Sequence, residues 1–306
     1  MRVTEQTRAS LLLQGIDQYS STMNTLNEEL STGMKVNEPS DDPVATGAIM
    51  RTNTYIADLN EDISVINTAQ SVSQAAGTAM SNSTSILSDV QTAATEAANG
   101  TESASQLQAL GTQVNQDLES LVQDANSQFE GNYLFSGTAT NTAPIAVTRD
   151  AQGNIQDITY EGSDTDVTYP VGQGRSSAAS VTAQAAYMNV LSTVKQLRDD
   201  LNNTQGLSSQ DQQAAISNDL NAVTTAQSSF TAQAAEVGSY QSLLTSLNSQ
   251  MQNSLTNAQS TLANYQDANT AQISVQLQSA QTAYQAIVSS EANQMQQPDL
   301  FSYLTG

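Results

Sequence analysis

Asp41 and Asp42 stand side by side, and Asp164 and Asp166 form an Asp-x-Asp; these are the residues of the chain that invite a chemical reading. Paired carboxylates can divide general-acid and general-base roles, or hold a hard cation through oxygen. Neither pair has further ligands at a recognised spacing, and a hard cation needs about six oxygen donors. Asp42 precedes Pro43, the arrangement of a helix N-cap followed by proline at the first helical position, and Asp164 with Asp166 fits a solvated loop. The chain contains no His and no Cys. That removes the commonest general base, the commonest metal ligand, thiolate nucleophiles and disulfides. No Gly-rich phosphate loop and no Gly-x-Ser-x-Gly occurs. The expectation is a protein that is not an enzyme, with no catalytic, cofactor-binding or metal-binding residues and no cofactor.

The elements that would position any working residue are helical. Leu12, Ile16, Tyr19, Met23, Leu26 and Leu30 recur at steps of four and three, and Ile49, Ile56, Leu59, Ile63 and Ile66 fall on a second stripe. Between them, STGMKVNEPSDDPVATGAI breaks the pattern. Gly33 suits the residue past a helix end, where the backbone turns left-handed, and Asp41, Asp42 and Pro43 encode a restart. The second helix is expected to run to about Ala98, with Asn99-Gly100 as its stop. A third stripe runs from Leu107 through Leu110, Val114, Leu118, Leu121 and Ala125 to Phe129, closed by Gly131.

From Tyr133 to about Gly174 the period changes. PIAVTR and NIQDITYEG flank Asp150-Ala151-Gln152-Gly153, which predicts a β-hairpin, and DVTYPV predicts a further short strand. Helical spacing returns at Tyr187, Leu191, Val194 and Leu201, stops at Gly206 and restarts at Ser208, where Asp211 makes a capping box possible. More than fifty proline-free residues follow, and a last stripe comprises Ile273, Leu277, Ala280, Tyr284 and Ile287. Pro298 and DLFSYLTG end the chain.

Each terminal stripe belongs to a helix that would be barely stable alone, and pairing the two would bury both. The fold expected is mainly α, a long antiparallel helical bundle with paired N- and C-terminal coiled-coil helices and a small inserted β-rich domain. Its segments are 1–42 (coiled coil and connector, pairing with 263–306), 43–134 and 181–262 (helical core), 135–180 (β-rich insertion) and 263–306. Candidate assembly residues are Leu12, Ile16, Tyr19, Met23, Leu26, Leu30, Ile273, Leu277, Tyr284, Ile287, Leu300, Phe301 and Leu304. Gly33, Asp41, Asp42 and Pro43 form the candidate connector and cap.

Composition bounds the partners. The 306 residues carry 30 acidic and 8 basic side chains, a formal charge of −22, with none of the basic residues between Arg51 and Arg149 or after Arg198. Such a chain offers no footprint for phosphates or anionic lipid, so neither nucleic acid nor membrane is expected. LLLQGI is too short for a signal-peptide core, which predicts a cytosolic protein or one exported without a cleaved signal.

LSTGMKVNEPSDDPVATGAIMR (Leu30 to Arg51) and ANYQDANTAQISVQLQSAQTAYQAI (Ala263 to Ile287) resemble the N-terminal pattern and terminal helix of the flagellin superfamily, with Glu38-Pro39 replacing the usual Ser-Ala type dipeptide. GNYLFSGTATNTAPI (Gly131 to Ile145) and DLFSYL (Asp299 to Leu304) are similar to the hook-associated branch of that family rather than to filament members. The resemblance implies a secreted structural protein of the bacterial flagellum, exported unfolded by the type III apparatus. It implies as partners hook-associated protein 1, flagellin, copies of itself in a ring, and an export chaperone. A short filament flagellin and a secreted helical adhesin or effector are the alternatives.

Overall fold

Long proline-free stretches rich in Ala, Gln and Leu favour helix, and helix dominates the computed structural model, which describes residues 5–172 and 174–295. In chain order these are α1 (Glu5–Thr32), α2 (Pro43–Ala98), α3 (Ala104–Ala125), β1 (Gln128–Phe129), β2 (Asn132–Tyr133), β3 (Ile145–Arg149), β4 (Ile155–Tyr160), β5 (Thr168–Pro170), β6 (Ser176–Ala178), α4 (Ala183–Ala186), α5 (Met188–Leu201), α6 (Ser209–Gln266) and α7 (Thr270–Met295). Contacts divide the chain into two units: residues 1–58 with 254–306, and residues 59–253. The division therefore falls inside α2 and α6, whereas the sequence places segment boundaries at 42/43 and 262/263. Stripes that run unbroken through a helix carry no mark of where its partner changes.

Residues 59–253 hold the large core. There α2 and α6 run antiparallel, in a register written by amide side chains. Asn248 donates to Asn67, Gln70 to Thr245, Gln241 to the Ser73 carbonyl, Gln227 to Ser88 and Gln91 to Thr224. At the end of the series Gln213 donates to the Ala97 and Ala98 carbonyls, satisfying the exposed C-terminus of α2. Beneath these rungs lie Ile66, Met80, Leu87, Val223, Phe230 and Val237, all buried. The helix α3 starts at a capping box, Ser103 with Gln106, and packs its Val114, Leu118 and Leu121 face into the same core.

The third stripe does not extend to Phe129, which lies in β1. The helix stops at Ala125 because Asn126 turns its amide onto another chain segment, donating to the Ile145 carbonyl and accepting from the Ile145 N–H, both at 2.9 Å. The expected hairpin forms as β3 and β4, with Ile145 opposite Tyr160. Its turn closes on the Asp150 carboxylate, which accepts from Gln152 N and Asn154 N. DVTYPV supplies β5, but β5 pairs with β6 in a hairpin of its own, and β1 with β2 in a third.

These small sheets lean on the helices. Arg198 of α5 is buried, and its guanidinium donates to the Ile155 carbonyl of β4 at 2.7 Å, to Asn115 of α3 at 3.0 Å and to Asp199. Phe135 enters the core against Tyr187, with ring centres 5.1 Å apart, and Tyr187 meets Phe230 edge-on at 5.1 Å. Burial raises the pKa of the Tyr187 hydroxyl, which shares a hydrogen bond with Ser83.

Candidate functional site

Within the unit of residues 1–58 and 254–306, α1 and α7 pack antiparallel. Leu26, Ile273 and Ala280 are buried between them, with Tyr19, Met23 and Leu277 partly buried alongside. Further along, a methyl group built on Gly15 would sit 3.3 Å from the Ile287 side chain, so glycine there lets the two helices approach closely. Leu12, Ile16, Tyr284 and Ile287 are half-buried, and Leu30 is exposed. Leu300, Phe301 and Leu304 lie outside the described residues.

The connector is built by short-range hydrogen bonds. Gly33 takes φ +72° and its N–H donates to the Glu29 carbonyl, ending α1. The Asp41 carboxylate accepts from Asn37 N and Glu38 N, and Asp42 accepts from Val44 N and Ala45 N, each at 2.9 Å, capping α2 directly before Pro43. Both acids are thus engaged with backbone amides. The turn between α6 and α7 meets this connector: Lys35 N donates to the Gln266 carbonyl at 2.8 Å and Ala268 N to the Gly33 carbonyl at 2.9 Å, an isolated antiparallel bridge. The Lys35 ammonium donates to the Asn264 carbonyl at 2.7 Å, placing a cation on the negative end of the α6 dipole. None of these long-range partners was legible from spacing.

Eleven large apolar side chains are strongly exposed among the described residues. Leu11, Leu13, Leu30, Met34, Val44, Met50, Tyr55, Tyr265, Val275 and Val288 belong to this unit, and Leu243 alone to the other. Val44 is 82% exposed, Met50 and Val275 66%. Single exposed apolar residues need no explanation, but here they are concentrated in one unit.

Titratable groups outside this unit are perturbed by burial. Burial and the nearby Asp89 raise Asp117 to about 6, and one of its oxygens has no hydrogen-bond partner. Burial and the adjacent Asp200 raise Asp219 to about 7, again with a partnerless oxygen. Burial also raises Asp124, against a hydrogen bond from Ser83. No group of three or more His, Cys, Asp or Glu side chains among the described residues is placed to hold a metal ion, and no helix there is long and apolar enough to cross a membrane.

Residues 3–140 match the family model of the bacterial flagellin N-terminal helical region. No curated protein matches the sequence. Among solved structures, a protein assigned as flagellar hook-associated in Vibrio parahaemolyticus superposes with a TM-score of 0.65 at 20% identity, covering 74% of this chain and 100% of that one. Hook-associated protein-3 of Legionella pneumophila gives 0.62 at 14% identity, covering 71% and 98%. FlgL of Bacillus cereus gives 0.56 at 21%, covering 70% and 97%. The fold is therefore flagellin-like: long helices with a small β-containing region.

Proposed function

We propose that the chain is a structural subunit of the bacterial flagellum, a junction protein joining hook-associated protein 1 at the hook end to the flagellin filament. In this reading it is secreted through the type III flagellar apparatus with the help of a chaperone. Copies assemble as a ring, and the terminal helices complete their packing on assembly. The observation that carries the reading is the concentration of exposed apolar side chains in the unit made by the two chain ends. The thinness of the α1–α7 core supports it, since three buried side chains among the described residues leave the pair dependent on further contacts. Hydrogen bonds through the connector tie that unit's two turns together, as a part that carries load between assembled rings would require.

Limited proteolysis with mass spectrometry, on the purified chain alone and mixed with hook-associated protein 1 and flagellin, tests it. Cleavage within about the first 40 and last 40 residues of the free chain, suppressed in the mixture, is the expected result. Termini that resist cleavage equally with and without partners would refute folding on assembly. In cells, deletion should leave flagellin made but released into the medium. Retained filaments would refute the junction role.

A further inference from the structure

A cavity of about 170 Å³ opens beside the β1–β2 hairpin, in the unit of residues 59–253. Its lining includes Val72 of α2, Phe129, Glu130, Tyr133, Val167 and Tyr169. Small-molecule sites usually measure about 300–1,000 Å³, so this one admits the end of a single long side chain. It is preformed, because Tyr133 N donates to the Thr140 carbonyl at 2.8 Å and Leu134 N to the Ser127 carbonyl at 3.0 Å.

Glu130 is the telling residue. It occupies the left-handed region, φ +51°, as the first of two residues in a tight turn whose second is Gly131 at φ +83°. Turns of this type favour Asn or Gly at both places. A glutamate kept in that conformation is strained, and backbone strain gathers where a residue is needed for its chemistry. Among the described residues its carboxylate makes no hydrogen bond or ion pair, and no Lys or Arg lines the cavity. An acid beside three aromatic rings is suited to a planar cation, which gains from the ring faces and the charge together.

Unpaired cations are scarce. Arg149 pairs with Glu119, Lys195 and Arg198 with Asp199, and Lys35 with a carbonyl. Of the cations whose side chains are described, Arg51 and Arg175 are exposed without such a partner, and Arg175 lies in the same unit as the cavity, at the turn between β5 and β6. Copies of a chain with formal charge −22 repel one another unless their few free cations meet acids. We propose that this cavity receives the Arg175 side chain of a second copy of the chain. The proposal rests on the self-assembly reading above for its occupant, and on the cavity alone for its chemistry.

Two measurements test these parts separately. The first is NMR titration of the full chain with N-acetyl-arginine amide, which should shift signals of Tyr133, Tyr169 and Glu130, while N-acetyl-norleucine amide should not. Glu130→Gln should weaken binding about fivefold. Glu130→Gly should also lose binding while folding at least as stably, since it relieves the strained position. Equal binding by the two amides, or unchanged binding in both variants, overturns the cavity's chemistry and leaves the proteolysis result untouched.

The second is self-association of full-length variants by sedimentation velocity at high concentration. Glu130→Arg and Arg175→Glu should each weaken it, and the double exchange should restore it. Restoration by Glu130→Arg with Arg51→Glu instead would overturn Arg175 as the occupant. Restoration by neither would overturn the contact between Arg175 and Glu130 of two copies.

Discussion

Replacing Asp219 by Asn should stabilise the helical body at pH 8 and about a third as much at pH 5. Asp219 of α6 and Asp200 of α5 are both buried, and one Asp219 oxygen lacks any hydrogen-bond partner. Of the polar groups around the pair, Gln196 donates to the Asp200 carboxylate, and Gln212 donates to the Asp200 carbonyl. Arg198 is directed away, onto Ile155, Asn115 and Asp199. Burial and the neighbouring acid raise Asp219 from 3.8 to about 7, so the folded chain keeps a proton that the unfolded chain has released. Between those values the folded state binds more protons, and stability falls as pH rises, levelling off above about 7. A shift of this size corresponds to about 4 kcal/mol at roughly 1.4 per unit. The effective dielectric around buried charges, well above that of dry protein, reduces it to about 2. The amide cannot ionise and can donate to Asp200, so Asp219→Asn should raise the body's thermal midpoint at pH 8 by about 5 °C. Thermal unfolding followed by far-UV circular dichroism, on wild type and variant at both pH values, reads the difference. A variant no more stable than wild type at pH 8, or one equally stabilised at pH 5, would refute the reasoning.

Gly33→Val should cost about 1–2 kcal/mol from conformation alone, because nothing lies near its missing side chain, yet the backbone is left-handed; hydrogen exchange should quicken in α1 and α7. Asp42→Ala removes the acceptor of two amides and should cost about 1 kcal/mol, seen as faster exchange in the first turn of α2. Arg198→Met leaves the Ile155 carbonyl unpaired and should cost about 3 kcal/mol, with protease nicking at the β3–β4 turn as the sign; intact hairpins under conditions that cleave the termini would contradict it.

Helices were legible because their apolar positions repeat, and their stops because Gly33, Asn99-Gly100 and Gly206 sit where the repeat fails. What periodicity does not carry is the choice of partner. Phe129 continues the α3 spacing by position, but the side chain of Asn126 captures Ile145 nineteen residues away and ends the helix first. Likewise β6 is three small residues, invisible until β5 finds it. In the terminal unit, Leu30 keeps the α1 spacing yet stays exposed, while Val36, in the stretch that breaks the stripe, is buried. Lys35 and Arg198 were read only as charge, and their roles depend on carbonyls from remote segments.

The bridge between the two turns has a mechanical consequence. Gly33 to Lys35 and Gln266 to Ala268 are two covalent strands cross-linked by a pair of backbone hydrogen bonds, which makes a closed linkage. A closed linkage has fewer independent torsions than two separate hinges, so rotation about one turn obliges rotation about the other. A swing of the α1–α7 pair against the adjoining ends of α2 and α6 would therefore engage both turns at once, and a pull applied to either terminal helix would be divided between two polypeptide strands.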